Sequence, residues 1–202
     1  MVDQYLRGPK ERAMLLFVDG PLRGLSPTAV TVAAALIGIA AAVAAWQQHY
    51  TLALLLWLFN RLLDGLDGTL ARRHNRQSDF GGYLDIVLDT VVYALVPLGL
   101  ALGVNTTAGY VALALLLGSF YINGSSWMYL AALFEKRGTG ARSRGELTTI
   151  TMPGGLIEGT ETIVFYVLFL VFPFWIVPLF ALMAILVMFT TGQRLIWAMK
   201  AL

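Results

Sequence analysis

The stretch TVVYALVPLGLALGVNTTAGYVALALLLGSFYINGSSWMYLAALF, residues 90–134, contains no charged side chain. A membrane-spanning helix needs about 20 mostly apolar residues, so this stretch is long enough for two spans, which we place on either side of residues 103–107. Residues 24–60 and 162–193 form two further uncharged runs. We place breaks in them at residues 47–50 and 172–175. The sequence therefore predicts a protein that crosses a membrane several times.

The overall composition excludes an ordinary soluble domain. Of the 202 residues, 58% are hydrophobic and 13% are charged, and the mean hydropathy is +0.72, whereas soluble domains have about a quarter of charged residues. Long Leu, Ala and Val runs favour helices over the short alternating strands of an outer-membrane barrel. Because there is no cysteine, disulfides, thiolate metal sites and cysteine nucleophiles are also excluded.

We predict one all-α integral membrane domain over residues 1–202. Residues 26–200 are expected to form a bundle of six transmembrane helices, and residues 1–25 to contain a short N-terminal interfacial helix. Pro27, preceded by Ser26 as N-cap, is a typical first helical residue. The six helices are expected near residues 28–47, 52–72, 82–102, 109–134, 158–172 and 175–197.

The distribution of cations predicts the orientation. Every Lys and Arg except Arg61 falls on one side of this topology, so the positive-inside rule places both termini and the two long loops in the cytoplasm. The longer loop, residues 135–154, is rich in glycine and is expected to be irregular. The net charge of +2 is explained by contact with the anionic lipid bilayer and requires no nucleic acid.

Four aspartates lie inside the second and third predicted helices, where each ionised group costs roughly 2.5–3.5 kcal/mol. Asp64 and Asp67 are three residues apart and Asp85 and Asp89 four apart, so each pair shares one helix face. The two helices are antiparallel, which puts Asp64 level with Asp89 and Asp67 level with Asp85. The two levels are roughly 4.5–6 Å apart, comparable with the ~3.5–4 Å between paired catalytic metals.

This carboxylate cluster predicts a divalent metal site. Oxygen ligands without histidine or cysteine favour Mg²⁺ or Mn²⁺, as one ion or two, with Ca²⁺ as a non-productive alternative. Small residues beside the carboxylates leave room for a bulky ligand; these are Gly65, Gly68, Gly81 and Gly82. A positive rim suits phosphate, and it consists of Arg72, Arg73 and Arg76. We therefore expect metal-assisted phosphoryl transfer at the membrane surface, with the site facing the cytoplasm.

The pattern Asp64-x2-Asp67-Gly68-x2-Ala71-Arg72-x8-Gly81-x3-Asp85-x3-Asp89 resembles the complete signature of the CDP-alcohol phosphatidyltransferases. The resemblance implies transfer of a phosphatidyl group from CDP-diacylglycerol, or a related CDP-linked lipid, to the hydroxyl of a small polar alcohol, with release of CMP. It also implies the residue roles: all four aspartates hold metal, Asp89 also acts as the base, and Asp67, Gly68, Ala71, Arg72 and Gly81 surround the CDP moiety.

Several polar residues outside the motif have two interpretations each. Glu158 and Glu161 either complement the dipole at the start of the fifth helix or line the acceptor site. Arg194 is either a topology anchor or a contact for an anionic acceptor. Asn123 either forms hydrogen bonds between helices or lines the pocket. Arg61 is expected to pair with a motif aspartate or with a lipid phosphate.

Gly99 and Gly103 predict close helix packing, with a homodimer seam as one possibility.

The alternatives to a transferase are weaker. A cation-coupled transporter also uses intramembrane carboxylates, but it typically has acids near mid-bilayer, broken helices and a repeated half. Membrane prenyltransferases carry two Asp-rich motifs on widely separated hairpins. The single compact motif at the end of two continuous helices favours the phosphatidyltransferase.

Overall fold

The computed structural model describes Val18, residues 24–140 and residues 155–202. These residues form six α-helices and no strand, and a short 3-10 turn at Pro173–Trp175 precedes the last helix. Most of the predicted interfacial segment 1–25, and residues 141–154 of the long loop, lie outside the described residues. The helices are α1 (Pro27–Trp46), α2 (Tyr50–Arg73), α3 (Asp79–Val104), α4 (Thr107–Lys136), α5 (Gly159–Val171) and α6 (Ile176–Ala201).

The predicted helices agree with these bounds to within about one helical turn. Two of the predicted breaks contain a residue in the left-handed region, Gln48 with φ 62° and Asn105 with φ 51°. The Gln48 side chain donates a 2.6 Å hydrogen bond to the carbonyl of Gly103, so the two breaks at this end of the bundle are joined. Ser26 is the N-cap of α1, but its side chain makes no capping hydrogen bond.

Four of the described helical segments are long and apolar enough to cross a membrane: α1, α3, α4 and Pro173–Ala201. The apolar helix α5 has only 13 residues. Helix α2 has 24 residues, but its hydropathy is lowered by charged side chains, among them Arg61, Asp64 and Asp67. The chain is therefore an integral membrane protein with six described helices, four of which meet the criterion for spans. Its orientation stays a prediction.

Helix α1 packs along both α2 and α3, whereas α2 and α3 have little direct contact in the described part of the chain. Helices α4 and α6 form a second closely packed pair. Helices α2, α5 and α6 contribute an aromatic core of Trp57, Tyr166, Phe169 and Phe180, each fully buried. The two helices that carry the aspartates are consequently held by α1 rather than by each other, which leaves a cleft between them.

Gly99 and Gly103 explain how α1 and α3 approach so closely. A Cβ at Gly99 would overlap the carbonyl oxygen of Ala42, and a Cβ at Gly103 would lie 2.7 Å from that of Ala45. The predicted close packing is confirmed, and it occurs within the chain. Since α1 occupies this face, the glycines are not free to form a dimer seam, and the homodimer stays a prediction without this support.

We expect Gly99→Ala to lower stability by about 1–3 kcal/mol, as overpacking does, because the new methyl group meets the rigid backbone of α1. Gly118→Ala is the matched control, since nothing lies within 4 Å of a Cβ at Gly118. It should be neutral or slightly stabilising, because alanine favours helix more than glycine. The apparent Tm of both variants in detergent checks this; equal values would contradict the packing argument.

Candidate active site

A small cleft between α2 and α3 brings together three of the four predicted aspartates, Asp64, Asp85 and Asp89. Helix α1 forms one wall of the cleft with small side chains. The remaining lining residues are Thr31, Ala34, Ala35, Asn60, Arg61, Leu88 and Val92. The antiparallel arrangement inferred from the sequence therefore does collect acids of both helices at one place.

Arg61 connects the two aspartate pairs. Its Nη2 donates a 2.6 Å hydrogen bond to Asp89 Oδ1, and its Nη1 lies 3.7 Å from Asp64 Oδ2. The Arg61 side chain is 6% exposed, against 31% for Asp64 and 27% for Asp89. Of the two partners expected for Arg61 from the sequence, the motif aspartates are the ones that the structure supplies. The contacts also agree with Asp64 and Asp89 being level.

Neighbouring side chains hold the Arg61 guanidinium in place. Its Nε donates to Asn60 Oδ1 at 2.7 Å, and its Nη1 donates to the Tyr93 hydroxyl at 3.0 Å. The Asn60 amide in turn donates to the carbonyl of Ala34 in α1 at 2.7 Å. The guanidinium carbon lies 4.7 Å from the ring centroid of Trp57 and 4.8 Å from that of Tyr93, within the range of cation–π attraction.

Asp67, the fourth aspartate, is only 4% exposed and lies next to the hydroxyl of Thr31. Its Oδ2 is buried and has no hydrogen-bond partner. An unpaired buried carboxylate oxygen costs free energy, and a cation would remove that cost. This orphaned oxygen, together with three more carboxylates on the adjoining faces, fits a hard divalent ion.

The carboxylates are not already converged on one point. Among the described residues, no group of three or more His, Asp or Glu side chains forms a ready-made metal site. Two of the four carboxylates, Asp64 and Asp89, pair with the Arg61 guanidinium. The assignment of Asp64, Asp67, Asp85 and Asp89 as metal ligands therefore stays a prediction, supported by the chemistry of the donors.

Five residues are expected around the CDP moiety. Asp67 is buried, and the other four are half-buried: Gly68, Ala71, Arg72 and Gly81. A Cβ at Gly68 would lie 3.2 Å from Arg72 Nη1, so the guanidinium of Arg72 covers the glycine. The amide of Gly81 donates a 3.0 Å hydrogen bond to Ser78 Oγ, which caps α3. Their role in binding CDP stays a prediction.

Two of the four predicted acceptor residues, Asn123 and Arg194, form a second polar cluster between α4 and α6. Arg194 Nη1 donates to Asn123 Oδ1 at 2.7 Å, and the Thr191 hydroxyl donates to the same oxygen at 3.2 Å. Asn123 thus makes the expected hydrogen bonds between helices. Arg194 is only 6% exposed, unlike a side chain that extends from the helix end to anchor it among lipid headgroups. Contact between Arg194 and an anionic acceptor stays a prediction.

Glu158 and Glu161 have a clear structural role at the start of α5. They form a capping box, in which the Glu158 amide donates to Glu161 Oε2 at 3.2 Å. Glu158 Oε1 also accepts a 2.9 Å hydrogen bond from the amide of Gly155. The helix-start interpretation is therefore confirmed. Glu158 also interacts electrostatically with Arg194, so a part in the acceptor site is compatible with this role.

Sequence reasoning missed the residues that surround Arg61. Asn60 and Trp57 belong to an apolar run, and Tyr93 and Tyr166 lie on other helices. Trp57 and Tyr166 stack with ring centroids 4.7 Å apart, and the Tyr166 hydroxyl donates to the carbonyl of Tyr93. One residue in the sequence could have indicated this network. Asn60 is a polar side chain beside an intramembrane arginine, and buried polar groups need hydrogen-bond partners.

The unbroken helices, the small-residue cleft and the complete aspartate motif define a membrane transferase of the CDP-alcohol type, and comparison with known proteins agrees. The chain belongs to the CDP-alcohol phosphatidyltransferase family, whose model matches residues 25–197. It is 38% identical to the inner membrane protein YnjF of Escherichia coli over 98% of this chain and 95% of that protein. It is 30% identical to the archaetidylinositol phosphate synthase of Pyrococcus horikoshii, over 71% of this chain and 76% of the synthase.

A solved structure shares the fold. The phosphatidylinositol phosphate synthase PgsA1 of Mycobacterium tuberculosis, in a crystal structure with CDP-DAG bound, superposes with a TM-score of 0.70. The sequence identity is 22%, and the match covers 93% of this chain and 94% of that chain. A second structure of that enzyme, in complex with manganese and citrate, matches with the same TM-score of 0.70. The family match favours the transferase over the transporter and prenyltransferase alternatives.

Proposed function

We propose that the protein transfers a phosphatidyl group from CDP-diacylglycerol, or a related CDP-linked lipid, to the hydroxyl of a small polar alcohol. The observation that carries the proposal is the motif on α2 and α3, with Asp64, Asp85 and Asp89 lining one cleft. The motif lies inside the region that matches the family. CDP-DAG in the related mycobacterial synthase supports a CDP-lipid as the donor.

Asp89 is the proposed base. The acceptor hydroxyl gives its proton to a carboxylate oxygen of Asp89, and the acceptor oxygen forms a bond to the β-phosphorus. The bond between that phosphorus and the CMP oxygen then breaks, so the products are a phospholipid and CMP. Asp89 is 27% exposed, which leaves an oxygen accessible from the cleft, while Arg61 holds the other end of the carboxylate.

A divalent ion held by Asp64, Asp67, Asp85 and Asp89 would neutralise charge on the diphosphate. The manganese in the related synthase supports Mn²⁺ or Mg²⁺ as the ion. We propose that Gly68, Ala71, Arg72 and Gly81 accommodate the CDP moiety and that the cleft faces the cytoplasm, where CDP-lipids meet soluble acceptors.

The test is a CMP-release assay with the purified full chain, CDP-diacylglycerol and a panel of phosphorylated and neutral alcohols. We expect CMP release with one class of acceptor in Mg²⁺ or Mn²⁺ and none in excess EDTA. Release of CMP that is unaffected by the chelator would refute the metal assignment. Absence of release with every acceptor and CDP-lipid would refute the proposed reaction.

We further propose that the acceptor is anionic, because the buried Arg194 offers a positive charge in a polar cluster with Asn123 and Glu158. Two of the similar proteins are an archaetidylinositol phosphate synthase and a phosphatidylinositol phosphate synthase, and the phosphate in both product names supports an anionic acceptor here. The relevant measurement is whether phosphorylated alcohols are used in preference to neutral ones. Exclusive use of neutral alcohols would contradict this part of the proposal.

Arg194→Gln should raise the KM for a phosphorylated acceptor by roughly 10- to 100-fold, the usual cost of a lost charged hydrogen bond. The KM for the CDP-lipid should change little, since the aspartates are untouched. Arg137→Gln is the matched control, because Arg137 is an exposed C-cap residue that donates to the carbonyl of Leu202. Equal changes in both KM values would assign Arg194 a structural role instead.

A further inference from the structure

Arg61 is a positive charge buried inside a cluster that is expected to hold positive ions. A buried guanidinium is tolerated only when it is paired and hydrogen-bonded, and here every one of its three nitrogens has a partner. Nε binds Asn60, Nη1 binds Tyr93, and Nη2 binds Asp89. The motif itself does not include Arg61, so its presence needs a separate explanation.

The geometry fixes the guanidinium on several sides. Asn60 ties it to the backbone of α1 through Ala34, and Tyr93 on α3 contributes both its hydroxyl and its ring. Trp57 is fully buried beneath it and stacks on Tyr166 of α5. Four helices therefore determine where the Arg61 fork lies, and through the 2.6 Å bond of Nη2 they determine where Asp89 Oδ1 lies.

We infer that Arg61 is a positioning residue with a double effect: its fork orients Asp89 towards the cleft, and its fixed charge limits how tightly the aspartates hold a divalent ion. This inference rests on the proposed function for the role of Asp89. The charge effect does not depend on it, since Arg61 pairs with two carboxylates of the cluster whatever reaction they perform.

The size of the charge effect follows from Coulomb's law. A unit charge about 6 Å from a divalent ion, even with the full screening of water, changes a dissociation constant by about tenfold. A more weakly screened site gives a larger change. Removal of the Arg61 charge should therefore tighten binding of the metal. Removal of a residue with only a structural role would loosen it instead.

Three variants separate charge from orientation. Arg61→Gln removes both, Arg61→Lys keeps the charge but loses the planar fork, and Tyr93→Phe removes only one acceptor of the fork while it keeps the ring. The readouts are the dissociation constant of Mn²⁺ alone, measured by electron paramagnetic resonance, and kcat and KM at saturating Mn²⁺. Tyr129→Phe, at a residue that is 70% exposed, is the control for Tyr93→Phe.

For Arg61→Gln we expect Mn²⁺ to bind about tenfold more tightly while kcat falls by at least tenfold and the KM for the CDP-lipid stays within about threefold. Arg61→Lys should bind Mn²⁺ with the same dissociation constant as the unaltered protein, but its kcat should be lower than that of the unaltered protein. Tyr93→Phe should lower kcat severalfold without a change in Mn²⁺ binding. Weaker or unchanged Mn²⁺ binding in Arg61→Gln, or an unchanged kcat in Tyr93→Phe, would overturn the inference.

A double variant distinguishes this inference from the proposed function. If Arg61 acts through Asp89, Arg61→Gln should have little further effect on kcat in the Asp89→Asn background. An equal loss in both backgrounds overturns the positioning role while the proposed reaction stands. If the unaltered protein releases no CMP with any acceptor, the proposed reaction fails, and the Mn²⁺ measurements alone then decide whether Arg61 restrains the metal.

Discussion

Asp89→Asn should lower turnover by roughly 10²–10⁴, the usual contribution of general acid–base catalysis, while the affinity for the CDP-lipid changes much less. Asparagine removes the ability to accept the hydroxyl proton but keeps an oxygen towards the cleft. It also keeps an acceptor for Arg61 Nη2, which bonds Asp89 Oδ1 at 2.6 Å, so the fork should stay in place. Steady-state kcat and a separate measurement of CDP-lipid binding check both parts of the expectation.

Two further variants define what the Asp89 result means. Asp64→Asn should weaken CDP-lipid binding as well as turnover, because a metal ligand is needed to bind the diphosphate. Asp79→Asn, at an exposed residue in the first turn of α3, should alter neither and controls for loss of a carboxylate on the same helix. A comparable loss of CDP-lipid affinity in Asp89→Asn and Asp64→Asn would make Asp89 a ligand and leave the base unassigned.

The helices and the placement of Asp64, Asp85 and Asp89 in one cleft could be predicted from the sequence because both depend on local pattern. Uncharged runs of known length give the helices, and residues such as Asn105 mark where they end. The spacing within each pair fixes a helix face, and a short turn at residues 74–78 makes α2 and α3 antiparallel. These steps require no knowledge of how distant helices pack.

The surroundings of Arg61 could not be predicted, because they depend on packing between distant segments. Tyr93 is 32 residues away from Arg61 along the chain, and Tyr166 is 73 away from Tyr93. Nor does any local pattern show that α1 supports both α2 and α3. The burial of Arg194 likewise depends on its contact with Asn123, which lies 71 residues away.

Glycines in this chain serve two different purposes, which can be told apart by the atoms that surround them. Gly99 lies against the backbone of Ala42, whereas the nearest atoms to a Cβ at Gly68 belong to the flexible end of Arg72. The first contact is rigid and serves the fold. The second can give way when a ligand or a new side chain arrives, which is the property expected of a residue beside a nucleotide site.

Gly68→Leu should therefore reduce CDP-lipid binding by at least a hundredfold while the protein still folds. The leucine side chain displaces the Arg72 guanidinium, 3.2 Å from the site of its Cβ, and fills the space beside Asp67 that we assign to the CDP moiety. Gly118→Leu is the matched control, because nothing lies within 4 Å of a Cβ at Gly118. Binding of CDP-diacylglycerol and the apparent Tm should be measured for both. Full affinity for CDP-diacylglycerol in a folded Gly68→Leu protein would show that the nucleotide site is not on this face of α2. Loss of affinity in both variants would show that leucine in these helices lowers binding by a general effect rather than by filling the nucleotide site.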